Sequence, residues 1–257
     1  MTDRKDTGFY IGYHPKAPGS YRKTLVVSVM VITAAVLVTA CILAISQHPF
    51  SRNVFEFGTL TTIEGTLTMD PVPRLLTGPA DQPTSVLLVG FGKCGAEATL
   101  EAIENQEHAV LDGREIALRG TLIYGEGKTL MELTEGTGSW GGIIGEGRHA
   151  LTFESVGNRT ISGKIIDPKC YFGVMKPGEG KTHRSCAIRC ISGGIPPVFK
   201  TADGQFILLQ HETISLSSAL LAYVDDLITI NGVLGQSGDW LVMEVDPGSI
   251  LPGIVAQ

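Results

Sequence analysis

Three of the five cysteines and one histidine fall within the thirty-one residues DPKCYFGVMKPGEGKTHRSCAIRCISGGIPP, Asp167 to Pro197. Thiols and imidazoles are the donors that soft metal ions select, and thiols also exchange disulfides, so spacing decides which chemistry is open. Thr182 is placed to cap a short helix, HRSCAIRCI, which Gly193-Gly194 and then Pro196-Pro197 would stop. On that helix His183, Cys186 and Cys190 stand at i, i+3 and i+7 and share one stripe. Cys170, at the end of the preceding strand, can close over the stripe from the far side. Together the four form a three-thiol, one-imidazole set suited to tetrahedral zinc or, outside the cytoplasm, to a cuprous copper ion.

Two other uses of the same residues stay open. Cys94 is a fourth cysteine beyond the apolar amino-terminal run, and four cysteines allow two bridges, an inert staple for an exported protein. A Cys186–Cys190 bridge spans one helical turn, about 6 Å between Cα atoms, with nearly parallel Cβ vectors, so it would be strained and easily reduced. Cys170 with either partner is less strained. The third use is thiol–disulfide exchange. From Lys164 to Cys190 there are six basic residues (Lys164, Lys169, Lys176, Lys181, Arg184, Arg189) against two acidic ones, and cationic neighbours favour the reactive thiolate. Cys-x3-Cys with a nearby histidine resembles the ligand spacing of extracytoplasmic copper carriers of the cytochrome-oxidase assembly type, although nothing in the pattern supports their thioredoxin fold.

Several chemistries are excluded by the pattern. PGEGKTH lacks the glycine that a phosphate loop needs five places before Gly180, where Met175 stands, and its twin at Gly125 to Thr129 has Leu122 there, so both read as turns and no nucleotide is expected. There is no C-x-x-C-H for haem, nor the paired C-x-H and C-x-x-H of a Rieske cluster. His108, His149 and His211 lie outside any cluster, and Asp225-Asp226 reads as a turn before a strand. No Ser-His-Asp set follows from spacing, so the chain is not expected to be an enzyme by itself. Asn158-Arg159-Thr160 matches a glycosylation acceptor only in form.

Thr24 to Ser46 runs for 23 residues without a charge or a proline, enough to cross a hydrocarbon core as a helix. Arg4, Lys5, Lys16, Arg22 and Lys23 precede it, while only Arg52 follows within the next 23 residues, which predicts a cytoplasmic tail over 1–23 and a lipid bilayer around 24–46. Val38-Thr39-Ala40-Cys41 has the form of a lipobox, but the apolar residues after Cys41 favour an uncleaved anchor. Beyond residue 47 the chain carries 24 acidic against 15 basic residues. That balance argues against a nucleic-acid surface.

Behind the anchor the chain repeats itself. IEGTLTMDPVP (Ile63 to Pro73) parallels ISGKIIDPKC (Ile161 to Cys170), SVLLVG (Ser85 to Gly90) parallels QFILLQ (Gln205 to Gln210), and Ala117 to Gly136 parallels Thr229 to Gly248. In the second copy, strands are predicted at Thr160 to Asp167, Val198 to Thr201, Phe206 to Gln210, Leu227 to Leu234 and Leu241 to Val245, with a helix over Ile214 to Val224. In the first, Gly95 to Gln106 takes the helix position and Glu115 to Tyr124 and Thr129 to Leu133 close the set, a less complete match. The order β-β-β-α-β-β is that of a small OB-type barrel. The expected architecture is therefore mainly β, with a first OB-like domain over 53–136, a glycine-rich linker over 137–150 and a second OB-like domain over 151–250, interrupted by the Cys/His insertion at 167–197.

The wording of that insertion, with FYIGYHPKAP (Phe9 to Pro18) before a single span, resembles segments of poorly characterised bacterial membrane-anchored proteins. The resemblance covers tail, span and cysteine segment, and implies a bacterial inner-membrane protein with its carboxy-terminal domains in the periplasm. The resulting expectation is a metal-binding or electron-transfer accessory module serving a membrane respiratory or assembly complex, with thiol–disulfide exchange and a disulfide-stapled interaction module as the alternatives.

Overall fold

The computed structural model describes residues 19–47, 53–79, 82–148, 151–173, 175–210 and 219–253, in two units, Met1–Pro49 and Phe50–Gln257. The first unit is helix α1, Gly19–Ser46. Its 28 residues rise about 42 Å, so α1 is long and apolar enough to cross a membrane. Thr39 and Ser46 return their hydroxyls to the helix's own carbonyls at Ala35 and Leu43, which leaves neither group seeking water. The predicted tail before Gly19 lies outside the described residues.

The second unit contains two closed five-stranded barrels in sequence. The first is built from β2 (Thr61–Thr68), β3 (Arg74–Thr77), β4 (Thr84–Val89), β5 (Arg114–Gly125) and β6 (Lys128–Leu133), with α2 (Glu97–Glu107) between β4 and β5. Around the ring the order is β2-β3-β4-β6-β5 and back to β2, antiparallel except for the parallel pair β4–β6. The second repeats it with β8 (Glu154–Ile166), β9 (Val198–Thr201), β10 (Phe206–Gln210), β11 (Leu227–Ser237) and β12 (Trp240–Val245), where β10–β12 is the parallel pair. This ring order is the OB topology, and each pair of parallel sequence blocks occupies matching strands. Short strands β1 (Val54–Phe55) and β13 (Leu251–Pro252) pair with β5 and β11.

The repeat reaches single residues. A Cβ on Gly65 in β2 would lie 2.4 Å from the Leu76 carbonyl oxygen, and one on Gly163 in β8 would lie 2.3 Å from that of Lys200. Strand one of a small barrel coils tightly over strand two, and only glycine leaves room for the neighbouring backbone.

Three expectations change. The glycine-rich stretch read as a linker contains β7 (Trp140–Glu146), which pairs with the first half of β5 on the edge that β6 takes further along. The first copy, judged the less complete, carries the full helix α2, which ends with His108 in the left-handed region. In the second copy, residues 211–218 lie outside the described residues; what is described of the helix predicted over Ile214 to Val224 tightens into a 3-10 turn at Leu221–Tyr223. That turn still buries Leu220 and Val224 in the barrel core.

Each barrel fills its own interior, and a further apolar cluster joins them. Leu87, Val89, Ile123 and Leu130 of the first barrel meet Ile166, Phe172, Val198 and Trp240 of the second. Arg74, fully buried, donates to the Ser237 carbonyl and hydroxyl and to the Asp70 carbonyl, and the Asp239 carboxylate accepts from the Ser85 N–H. The two barrels thus share one seam, and the cysteine insertion lies along it.

Candidate metal centre

The chain leaves β8 at Asp167, whose extended backbone and Oδ1 cap the short helix α3, Pro168–Phe172, by accepting from the Lys169 and Cys170 N–H groups. Proline at the first helical position is pre-set for such a start. Cys170 is thereby held in one turn of helix directly after the strand. Tyr171 and Phe172 pack inward against Phe206, which fixes the face that α3 turns to the core.

Helix α4, Arg184–Ser192, carries the other two thiols. Its start differs from expectation: His183 rather than Thr182 stands at the N-cap, with no side-chain capping bond. The His183 and Arg184 N–H groups both bond to the Gly180 carbonyl instead, a turn that leaves the imidazole free to point inward. Gly193 stops the helix as expected, its N–H returning to the Arg189 and Cys190 carbonyls.

The predicted convergence is found in divided form. Cys170, His183 and Cys186 each place a donor atom within 4.8 Å of the other two, and so do Asp167, Cys170 and Cys190. Cys170 belongs to both groups; the four expected ligands do not close as a single set. The Cys170 and Cys186 sulfurs are 4.0 Å apart, too far for a disulfide and close to the about 3.8 Å that two thiolates on one tetrahedral zinc require. No disulfide joins any of the five cysteines.

His183 is 3% exposed, and neither ring nitrogen has a hydrogen-bond partner. Its Nδ1 is 3.9 Å from Asp225 Oδ2, beyond hydrogen-bond reach, and that oxygen is also unpartnered while Oδ1 accepts from the Gly180 N–H. Asp225 adopts the left-handed backbone, with φ of 61°, a conformation that aspartate tolerates better than most residues. Burial pushes its carboxyl above the ordinary aspartate range, against the pull of the Gly180 N–H and His183. A carboxylate hydrogen-bonded to one ring nitrogen orients imidazole ligands, and Asp225 stands just outside that contact with His183.

The charge environment departs from the reading of the basic residues. Arg184 pairs with Asp226, and Lys169 turns away to Glu132 and to the Gly90 and Gly92 carbonyls. The Cys170 thiol is pushed up, not down, first by the neighbouring Cys190 thiol, then by burial and the Asp167 carboxylate. The cation that reaches a sulfur comes from the other barrel: Lys93 Nζ is 3.6 Å from Cys186 Sγ. Its loop is held by backbone contact, since Gly95 N–H donates to the Gly193 carbonyl at 2.9 Å. A Cβ on Gly193 would stand 2.0 Å from the Lys93 carbonyl oxygen, so glycine permits that approach.

Sequence reasoning missed Asp167, Asp225 and Lys93. Asp167-Pro168 carries a helix-start signal that marks the first; the other two reach the site across 55 and 77 residues from Cys170 and leave no local trace. Cys94 belongs to neither donor group and is exposed. His149 and His211 lie outside the described residues. No family model, no curated protein and no solved structure matches this chain.

Proposed function

We propose that this chain is a membrane-tethered accessory protein that binds zinc or cuprous copper through the Cys/His segment. In this reading α1 spans a bacterial inner membrane with the amino terminus inside, and the barrels face the periplasm, as the basic residues before the span suggest. A role in metal handling or electron transfer for a membrane respiratory or assembly complex fits that place. The observation that carries the metal reading is His183, buried beside a thiol pair at 4.0 Å with both ring nitrogens unpartnered. An orphaned buried polar group costs about 1–3 kcal/mol, and a bound ion would offset that cost. Cys170, Cys186 and His183 would hold the ion, with Asp225 orienting the imidazole. Bound metal would also take the thiols as thiolates, opposing the upward push on Cys170.

The test is elemental analysis with thiol counting on the full-length protein in detergent. Metal that co-purifies, protects thiols from alkylation and is lost in Cys186→Ser supports this reading; a metal-free protein that takes up neither zinc nor cuprous copper after reduction refutes it. Thiol–disulfide exchange is the second reading, because Cys170 lies between two thiols that it can reach with small movements. The upward push on the Cys170 thiol weighs against it, since the attacking species is the thiolate. Reversible loss of two thiols on oxidation, without metal, would favour it.

A further inference from the structure

We propose that the segment holds two ions, with the Cys170 sulfur bridging them. This rests on the metal-binding reading above and deepens it. The residues form two adjacent three-donor cups, one of two sulfurs and an imidazole (Cys170, Cys186, His183), the other of two sulfurs and a carboxylate (Cys170, Cys190, Asp167). In each, the donor atoms lie within 4.8 Å of one another, and both cups own the same sulfur. A thiolate has enough lone pairs to ligate two metal ions at once.

The second cup has its own mark of a missing cation. Asp167 is fully buried, and while Oδ1 caps α3, no hydrogen-bond partner reaches Oδ2. Its partner Cys190 is 1% exposed, and its sulfur lies within 4.8 Å of the Cys170 sulfur. A buried carboxylate oxygen without a donor is costly unless a cation answers it. Each cup thus contains its own unsatisfied buried group, the His183 nitrogens in one and Asp167 Oδ2 in the other, and a single ion cannot be central to both sets. Two sulfurs and an imidazole suit zinc or cuprous copper, whereas two sulfurs and a carboxylate suit zinc. Ligating as thiolates, three sulfurs with one carboxylate would carry four negative charges, which two zinc ions would neutralise within apolar surroundings. The three-donor cups leave each zinc a fourth position for water or an external ligand.

Metal stoichiometry tests the proposal. The full-length protein in detergent is stripped under reducing conditions, reloaded with zinc or, without oxygen, with cuprous copper, desalted and measured for metal per chain. Two ions per chain are expected with at least one of the metals, falling to one in Cys190→Ser, Asp167→Asn and His183→Ala, and to background in Cys170→Ser. Asp167→Asn keeps an oxygen to cap α3 and so decides the second cup should Cys190→Ser fail to fold. Saturation of the wild type at one ion overturns the bridged pair but leaves the metal-binding reading standing. No uptake of either metal overturns both, and two ions retained in both Cys190→Ser and Asp167→Asn would place the second ion elsewhere and end the proposal.

Discussion

The two barrels have the same ring order and the same glycine in strand one, yet among the described residues the candidate donor groups all lie in the second. In the first, strands one and two are joined by the five residues Met69 to Pro73; in the second, the same junction holds Asp167 to Pro197. The insertion does not disturb the ring, because β8 and β9 still pair from Gly163–Thr201 to Ile166–Val198. The first barrel keeps instead a full helix before strand four and a loop, Gly92 to Gly95, that reaches across the seam. One copy therefore carries the donors, and the other has become a wall that brings Lys93 to Cys186. Two copies of one scaffold thus differ in what joins and flanks their strands, while the ring strands themselves stay matched.

That comparison is most severely tested at the matched glycines. Gly65→Val and Gly163→Val each force a side chain against a carbonyl oxygen and should cost about 3 kcal/mol or more. Trp140 lies on the first barrel and Trp240 on the second, so versions with one tryptophan replaced by phenylalanine report each barrel's unfolding separately. With a shared apolar seam, both reporters should show one coincident transition, lowered by either substitution. A Gly65→Val protein in which Trp140 alone shifts would mean the barrels are coupled only by the chain. A smaller effect is expected from Arg74→Met, which keeps volume but removes the donors to Ser237 and Asp70. It should cost about 2 kcal/mol and begin to separate the two reporters' midpoints.

Most of the ring was legible because strand signals are local. Val198 to Thr201 and Phe206 to Gln210 match β9 and β10 in full, and the turn at Gly125 to Thr129 is the hairpin between β5 and β6, with Glu126 and Gly127 both at positive φ. β7 was hidden by its own glycines: WGGIIGE shows turn chemistry where the strand gains pairing only from an edge of β5 already in place. At the site, the i, i+3, i+7 stripe was readable because a helix fixes it. The split into two groups was not, since it depends on where α3 docks, and that is set by aromatic packing of Tyr171 and Phe172 rather than by cysteine spacing. Likewise Lys169, the residue before Cys170 in sequence, pairs with Glu132, while Lys93, which reaches the Cys186 sulfur, belongs to the other copy.

Lys93→Met sharpens the division of labour between the barrels. It removes a charge from beside the Cys186 sulfur without opening a cavity, so unfolding should be little changed. Metal retention should weaken by about threefold to tenfold, roughly 1 kcal/mol for an exposed charge-assisted contact. Competition with a chromophoric chelator measures it. Unchanged affinity would show that the first barrel does not act on the site through this residue.

Cys94→Ser is expected to do the least, and for that reason isolates what the insertion adds. Cys94 is one residue from Lys93, yet its thiol is exposed and stands outside both donor groups. Its replacement should alter stability by less than about 0.5 kcal/mol and leave the metal content as it was. In the loaded wild type, brief alkylation should modify Cys94 and spare Cys170 and Cys190, since a buried or ligated sulfur reacts slowly. Peptide mapping of the alkylated protein reads this directly. Should Cys94→Ser lose metal, the first barrel would supply a ligand as well as a wall, and the separation of roles between the two copies would fail at the loop where they touch.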